Sequence, residues 1–235
     1  MTGALKPEEG SVLIKNKDIS KISADELDEV KKTFGMLFQY SALLDSLTVE
    51  ENVALPLEEH AKLAAEITRI IVKMKLSLVG LRGYEKYYPS QISGGMRKRV
   101  GLARAIALDP EILFFDEPTT GLDPITSGAI MSLINDLVRK SGATSVIVTQ
   151  DMRCAFTCAD RIALLHAGRV HALGTPEEIR ASADPLVRQF INGEPDGPIP
   201  FRLSRDNCAE ELRAPQRTKS GKHLRAGPVG PVASE

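Results

Sequence analysis

The stretch Ile112-Leu-Phe-Phe-Asp-Glu-Pro118 decides how the chain folds. Four apolar residues without polar alternation suit a strand buried on both faces, and Asp116 and Glu117 stand where it ends. Asp123-Pro124 then opens a helix that stops near Gly142. Ser145-Val-Ile-Val-Thr149 reads as a second buried strand, followed by a helical stretch to Ala159. Strand, helix, strand without alternation implies parallel pairing through a right-handed crossover. That topology puts the two acids at the carboxyl edge of a parallel sheet, where such folds bind ligands. One carboxylate there suits Mg²⁺, and its neighbour is placed to orient or deprotonate an attacking water.

Upstream, Ser93-Gly-Gly-Met-Arg-Lys-Arg99 runs into an apolar-periodic helix that should end near Ala107. A small hydroxyl and two glycines leave the first N–H groups unshielded at the positive end of the helix dipole, which suits a phosphate. Further back, Ser23-Ala-Asp-Glu26 and Thr48-Val-Glu-Glu51 are capping boxes. Residues 59–78 place Leu63, Ile67, Ile70, Ile71, Met74 and Leu78 at amphipathic-helix spacing. After a short β-like start from Ser11 to Ile14, the chain to about residue 107 therefore reads as mostly helical.

Downstream, Ile162 to Leu165 and Val170 to Leu173 read as a hairpin on the sheet's edge. Thr175-Pro-Glu-Glu178 caps another helix, and Pro185 to Asn192 is one more. From Gly193 the composition shifts to Pro and Gly, and Arg213, Arg217, Lys219, Lys222 and Arg225 succeed one another without an intervening acid. That reads as a solvated tail.

The 235 residues are 43% hydrophobic and 26% charged, enough for a globular core. With 30 Lys+Arg against 31 Asp+Glu the net charge is −1, which argues against a protein that binds by covering nucleic acid with positive charge. No apolar run approaches the roughly 18 residues of a membrane span, and the charged start does not resemble a signal peptide. Cys154, Cys158 and Cys208 form no disulfide framework. The first two, four apart, should share a helix face as small buried thiols in a reducing compartment.

Over about residues 1–202 the chain resembles the nucleotide-binding subunit of an ABC transporter, with motifs in that family's order. Gln39, in Leu37-Phe-Gln-Tyr40, resembles the Q-loop glutamine, which contacts Mg²⁺ and the attacking water. Ser93, Gly94 and Gly95, with Met96, resemble the signature that caps the γ-phosphate across a dimer interface. Asp116 resembles the Walker B aspartate, Glu117 the catalytic glutamate, and Gly121 to Asp123 the D-loop. The stretches Tyr40 to Leu57, Val187 to Gly193 and Asp196 to Phe201 are similar to the Mla/Mce-type subgroup that powers phospholipid traffic in the Gram-negative envelope.

The resemblance implies an α/β P-loop NTPase-like core (about 1–192) with a largely parallel sheet. It adds a helical signature subdomain around 40–95, and a C-terminal extension with a basic Pro/Gly tail over 193–235. It implies ATP and Mg²⁺ as cofactors. The implied partners are a membrane permease, a second ATP-binding subunit as homodimer, a small regulatory subunit and a substrate-binding MCE-type protein, with no nucleic acid. The implied location is peripheral, on the cytoplasmic face of the inner membrane.

Two departures stand against this pattern. The phosphate cradle Gly-x-x-x-x-Gly-Lys-Ser/Thr does not occur in the 235 residues. By resemblance, Met1 to Gly10 corresponds to the segment just past the cradle's helix, so the sheet should be short of strands, with apolar surface exposed. Gln150 stands where the family carries its switch histidine. An amide donates a hydrogen bond there but neither carries charge nor shuttles a proton, so slower hydrolysis is expected. A non-catalytic subunit lending only its signature face is the alternative. A chromosome-maintenance ATPase is a weaker one, because only a short helical segment separates Gln39 from Ser93 and no heptads are sustained.

Overall fold

The computed structural model describes residues 3, 5–61 and 63–200. Cys208, the end of the Phe201 motif and the basic tail lie outside the described residues. Two compact units are present, one ending at Ala183 and the other beginning at Asp184.

In the first unit, β1 (Leu13–Ile14) and β2 (Lys17–Asp18) make a small antiparallel hairpin. Helix α1 (Ala24–Lys31) opens on the Ser23–Glu26 capping box. The central sheet has three parallel strands: β3 (Phe34–Leu37), β4 (Ile112–Asp116) and β5 (Thr144–Val148), with β4 in the middle. Phe34 lies opposite Ile112, and Ile112 opposite Thr144. β4 is the apolar run expected to be buried, with Leu113 and Phe115 each 1% exposed. Helix α5 (Pro124–Ser141) makes the crossover from β4 to β5. Asp123 caps its start and Gly142, in the left-handed conformation, closes it.

Helices α2 (Val49–His60), α3 (Ala65–Leu78) and α4 (Gly94–Ala105) pack on the sheet side of Leu37, Leu113 and Phe115 to form the main core. After β5 come α6 (Met152–Cys158), the hairpin β6 (Ile162–His166) and β7 (Arg169–Gly174), and α7 (Pro176–Arg180). The second unit holds α8 (Pro185–Asn192), whose Gln189 exchanges two hydrogen bonds with Ile199.

Four sequence expectations need correction. Strand β3 lies inside the stretch read as mostly helical. Its Gly35 is demanded by packing: a Cβ there would meet the Ala105 carbonyl oxygen at 2.1 Å, so α4 lies directly on the strand. Strand β5 is half-exposed rather than buried, with Val148 61% exposed, because it is an edge strand of the described sheet. The hairpin β6–β7 forms its own two-stranded sheet rather than extending the central one.

The fourth correction concerns the apolar series at 59–78. The helix is interrupted between His60 and Ala65, and Ile67, Ile70, Met74 and Leu78 face outward. The inward face is Thr68, Val72, Lys75 and Leu76 instead. Among these, Lys75 is bonded to Asp109 at 2.5 Å. Of the thiols, Cys154 is fully buried while Cys158 is partly exposed. They hydrogen-bond to each other, which pushes the Cys154 thiol up and holds Cys158 below its ordinary value.

Candidate functional site

The carboxyl end of β4 carries Asp116 and Glu117, both partly exposed. Glu117 adopts φ 43°, in the left-handed region that costs roughly 1–2 kcal/mol for an L-residue. Its N–H is tied to the Val148 carbonyl oxygen at 2.9 Å, so the end of β5 holds this turn. The Glu117 side chain is also fixed by the chain around it. Thr120 Oγ1 (3.1 Å) and Thr149 Oγ1 (3.2 Å) donate to Oε2, and the Gln150 N–H donates to Oε1 at 2.8 Å. An ionised carboxylate offers about four lone-pair sites, so one, on Oε1, is left for a water.

The support continues one layer out. Thr119 Oγ1 donates to Asp151 Oδ2 at 2.9 Å, while the Asp151 Oδ1 caps α6 through the Arg153 and Cys154 N–H groups. Gln150 thus reaches the site through its backbone, and its side chain is exposed. Sequence reading missed Thr119, Thr120 and Thr149. Their signal is the hydroxyl at a strand's end and in the turn after an acid.

Gln39 follows β3 by two residues, and its backbone carbonyl shares a donor with that of Glu117. The Lys98 ammonium, on α4, donates to the Gln39 carbonyl oxygen and, at 3.1 Å, to the Glu117 carbonyl oxygen. Lys98 is 4% exposed. Burial pushes its ammonium below the ordinary lysine value, partly opposed by the Asp116 and Glu117 carboxylates. Beyond Gln39, Ser41 (φ 63°) and Ala42 (φ 44°) are also left-handed.

Among the described residues, no hydrogen bond engages the side chains of Asp116 or Gln39. A carboxylate and an amide oxygen without hydrogen-bond partners in the chain are donor types that suit Mg²⁺, which takes its remaining oxygens from water and phosphate.

Ser93, Gly94 and Gly95 sit elsewhere on the unit. Ser93 Oγ accepts the Met96 N–H at 3.2 Å as N-cap, which leaves its hydroxyl hydrogen free to donate. The first N–H groups of α4 have no acceptor within the helix. A Cβ on Gly95 would meet Thr126 Cγ2 at 2.7 Å, and one on Gly94 would lie 3.9 Å from Leu122. This face therefore borders the turn before α5. Among the described residues no hydrogen bond joins it to Gln39, Asp116 or Glu117.

Asp123, in that turn, spends its carboxylate on capping α5. It accepts from the Ile125 and Thr126 N–H groups at 3.0 Å and from Thr126 Oγ1 at 2.5 Å. The Thr126 hydroxyl and N–H hold its carboxyl below the usual range.

Comparison with known proteins matches residues 1–120 to the model of the ABC transporter family. The intermembrane phospholipid transport system ATP-binding protein MlaF of Haemophilus influenzae is 45% identical over 210 residues, 89% of this chain and 80% of that protein. The probable ribonucleotide transport ATP-binding protein mkl of Mycobacterium leprae is 45% identical over 213 residues, 90% of this chain but 61% of the relative. Among solved structures, the dimeric ATP-binding cassette MJ0796 bound to ADP and Pi superposes with a TM-score of 0.67 at 34% identity, covering 74% of this chain and 77% of that one.

Proposed function

The chain belongs to the ABC transporter ATPase family, and from that premise we propose that it energises phospholipid transport between membranes, with Glu117 as the residue that activates water. MlaF supports the lipid reading over the ribonucleotide one because the match spans 80% of MlaF and 61% of mkl. We assign residues 1–192 to the nucleotide-binding domain and 193–235 to an extension.

The observation that carries the reading is the Glu117 carboxylate, held by three donors with one lone-pair site open. A carboxylate fixed in this way accepts a hydrogen bond from water and polarises it without first having to reorient. Gln150 holds Oε1 through its N–H and leaves its side-chain amide to donate to a phosphate oxygen. It supplies no charge there. Asp116 and Gln39 would hold Mg²⁺, which neutralises phosphate charge when bound. Ser93, Gly94 and Gly95 would present a hydroxyl and free N–H groups to the γ-phosphate carried by a second copy. The dimeric state of the MJ0796 cassette supports a second copy as partner. Asp123 acts on nucleotide only through the turn it caps.

The outward apolar stripe of α3 supports a permease as partner. Ile67, Ile70, Met74 and Leu78 are exposed there, and Phe38, Tyr40 and Leu44 are exposed around Gln39. Contiguous exposed apolar surface marks an interaction site. No helix among the described residues is long and apolar enough to cross a membrane. We assign the span to that partner and the chain to the cytoplasmic face of the inner membrane.

The test uses a chimera in which a strand and a Gly-x-x-x-x-Gly-Lys-Ser loop precede the chain. Glu117→Gln should cut its ATP turnover by about 10²–10⁴, as for a lost general base, and trap bound ATP. Equal turnover in the two forms would overturn the assignment.

A further inference from the structure

Two cations of α4 are committed to the backbone of the Gln39 loop. Lys98 donates to the Gln39 carbonyl oxygen, and Arg104 donates to the carbonyls of Ser41 (2.5 Å) and Ala42 (2.7 Å). Midway between them on the helix, Gly101 leaves the space in which the loop seats. A Cβ there would meet Leu37 Cδ1 at 2.7 Å and Ser41 Cβ at 3.2 Å. Ser41 is buried, and both Ser41 and Ala42 hold left-handed conformations that a free loop would leave. A buried lysine without partners would be costly, so Lys98 stays only where carbonyls and carboxylates surround it. Its second carbonyl belongs to Glu117, in a different element.

We propose that Lys98 and Arg104 are positioning residues that clamp the 39–42 loop onto α4, and that Lys98, by bonding Gln39 and Glu117 at once, makes any displacement of that loop a displacement of the Glu117 turn. This rests on the reading of Gln39 and Glu117 as site residues. It gives the carbonyls of residues 39, 41, 42 and 117 a single mechanical frame, the helix that begins at Ser93. Loop, signature and water-activating carboxylate then move as one linkage. Arg104 holds one end of it; Lys98 joins the two halves.

Hydrogen exchange on the full 235-residue chain without nucleotide tests the linkage independently of catalysis. The reporters are segments 38–44 and 116–121, where the Ser41 N–H bonds the Phe38 carbonyl oxygen and the Thr120 N–H bonds that of Glu117. Lys98→Met should speed exchange in both segments by about 10–100-fold, the scale of lost hydrogen bonds to a charged group. Arg104→Met should do so in 38–44 alone. Lys98→Arg should restore both segments to within about threefold of the original chain.

Helix α5 serves as the folding reference and should be unchanged. If Lys98→Met does not fold, Lys98→Gln carries the same two-segment expectation. Unchanged exchange in 116–121, or an equal rise throughout the chain, overturns the proposal. A failed Glu117→Gln experiment would remove the ATPase reading and leave this exchange pattern untouched.

Discussion

At the scale of single residues, the site is organised by where carboxylates spend their lone pairs. Glu117 spends three on neighbours and keeps one. Asp123 spends its own on the first turn of α5, so its sequence match to a nucleotide-contacting loop coexists with a structural task. That task has a pH signature. Because the Thr126 hydroxyl and N–H hold the folded-state pKa below the unfolded value, the ionised form contributes stability that is fully present above about pH 4. The contribution fades as pH falls through the folded-state value. Asp123→Ala should therefore lower Tm at pH 7, and the difference from the parent chain should shrink steadily below pH 4. A Tm difference that does not change with pH would mean that charge plays no part in the cap.

At the scale of elements, α3 shows what sequence periodicity conveys and what it omits. Its apolar residues have a helical period, and a helix is present. The side turned to the core, however, carries Thr68, Val72, Lys75 and Leu76. Periodicity reports an apolar stripe without saying what covers it, and here the stripe of Ile67, Ile70, Met74 and Leu78 is exposed rather than set in the core. Substitution separates the two faces. Leu76→Ala, at a fully buried site, should cost about 2–5 kcal/mol in urea unfolding. Met74→Glu, 62% exposed, should change stability by no more than about 0.5 kcal/mol while abolishing capture of the proposed permease partner. A large loss of stability in Met74→Glu would refute the outward assignment. Strand β4, its crossover α5 and the capped helix starts were legible because each is a local rule obeyed locally. Strand β3 was not: four residues containing a glycine carry little strand signal, and Gly35 is set by the distant Ala105 carbonyl. Among the candidate residues, Asp116, Glu117 and Gln39 stand out in the sequence as types at a spacing, and the structure brings their backbones together while Ser93 lies elsewhere. Lys98, Thr119 and Thr149 were hidden, because their partners lie 19 to 59 residues away.

At the scale of the whole molecule, the distribution of charge decides what this polypeptide does with nucleotide. The described sheet end presents Asp116 and Glu117, with Asp151 close behind, and the nearest buried cation, Lys98, is already spent on two carbonyls. No Gly-x-x-x-x-Gly-Lys-Ser/Thr sequence occurs in the 235 residues to supply a nest of N–H groups and a lysine for three phosphates. In the proposed arrangement, the first turn of α4 would meet a γ-phosphate only when a partner presents it. A Mg²⁺ held by Asp116 and Gln39, as proposed, would fill the rest of its shell with water when no phosphate is anchored nearby, so it would not substitute for a phosphate cradle. At the sheet end the consequence is that the carboxylates of Asp116 and Glu117 meet phosphate charge without a fixed positive field between them. Titration of the 235-residue chain with Mg·ATP in a calorimeter should show no binding in the micromolar range, and the chain alone should not hydrolyse ATP. The chimera carrying the glycine-lysine loop should bind at least about 100-fold more tightly, since about 2.7 kcal/mol is a modest share for several charge-assisted hydrogen bonds. Micromolar binding by the unextended chain would mean that its acids and the α4 dipole form a nucleotide site without a phosphate cradle, and the charge argument would fail with it.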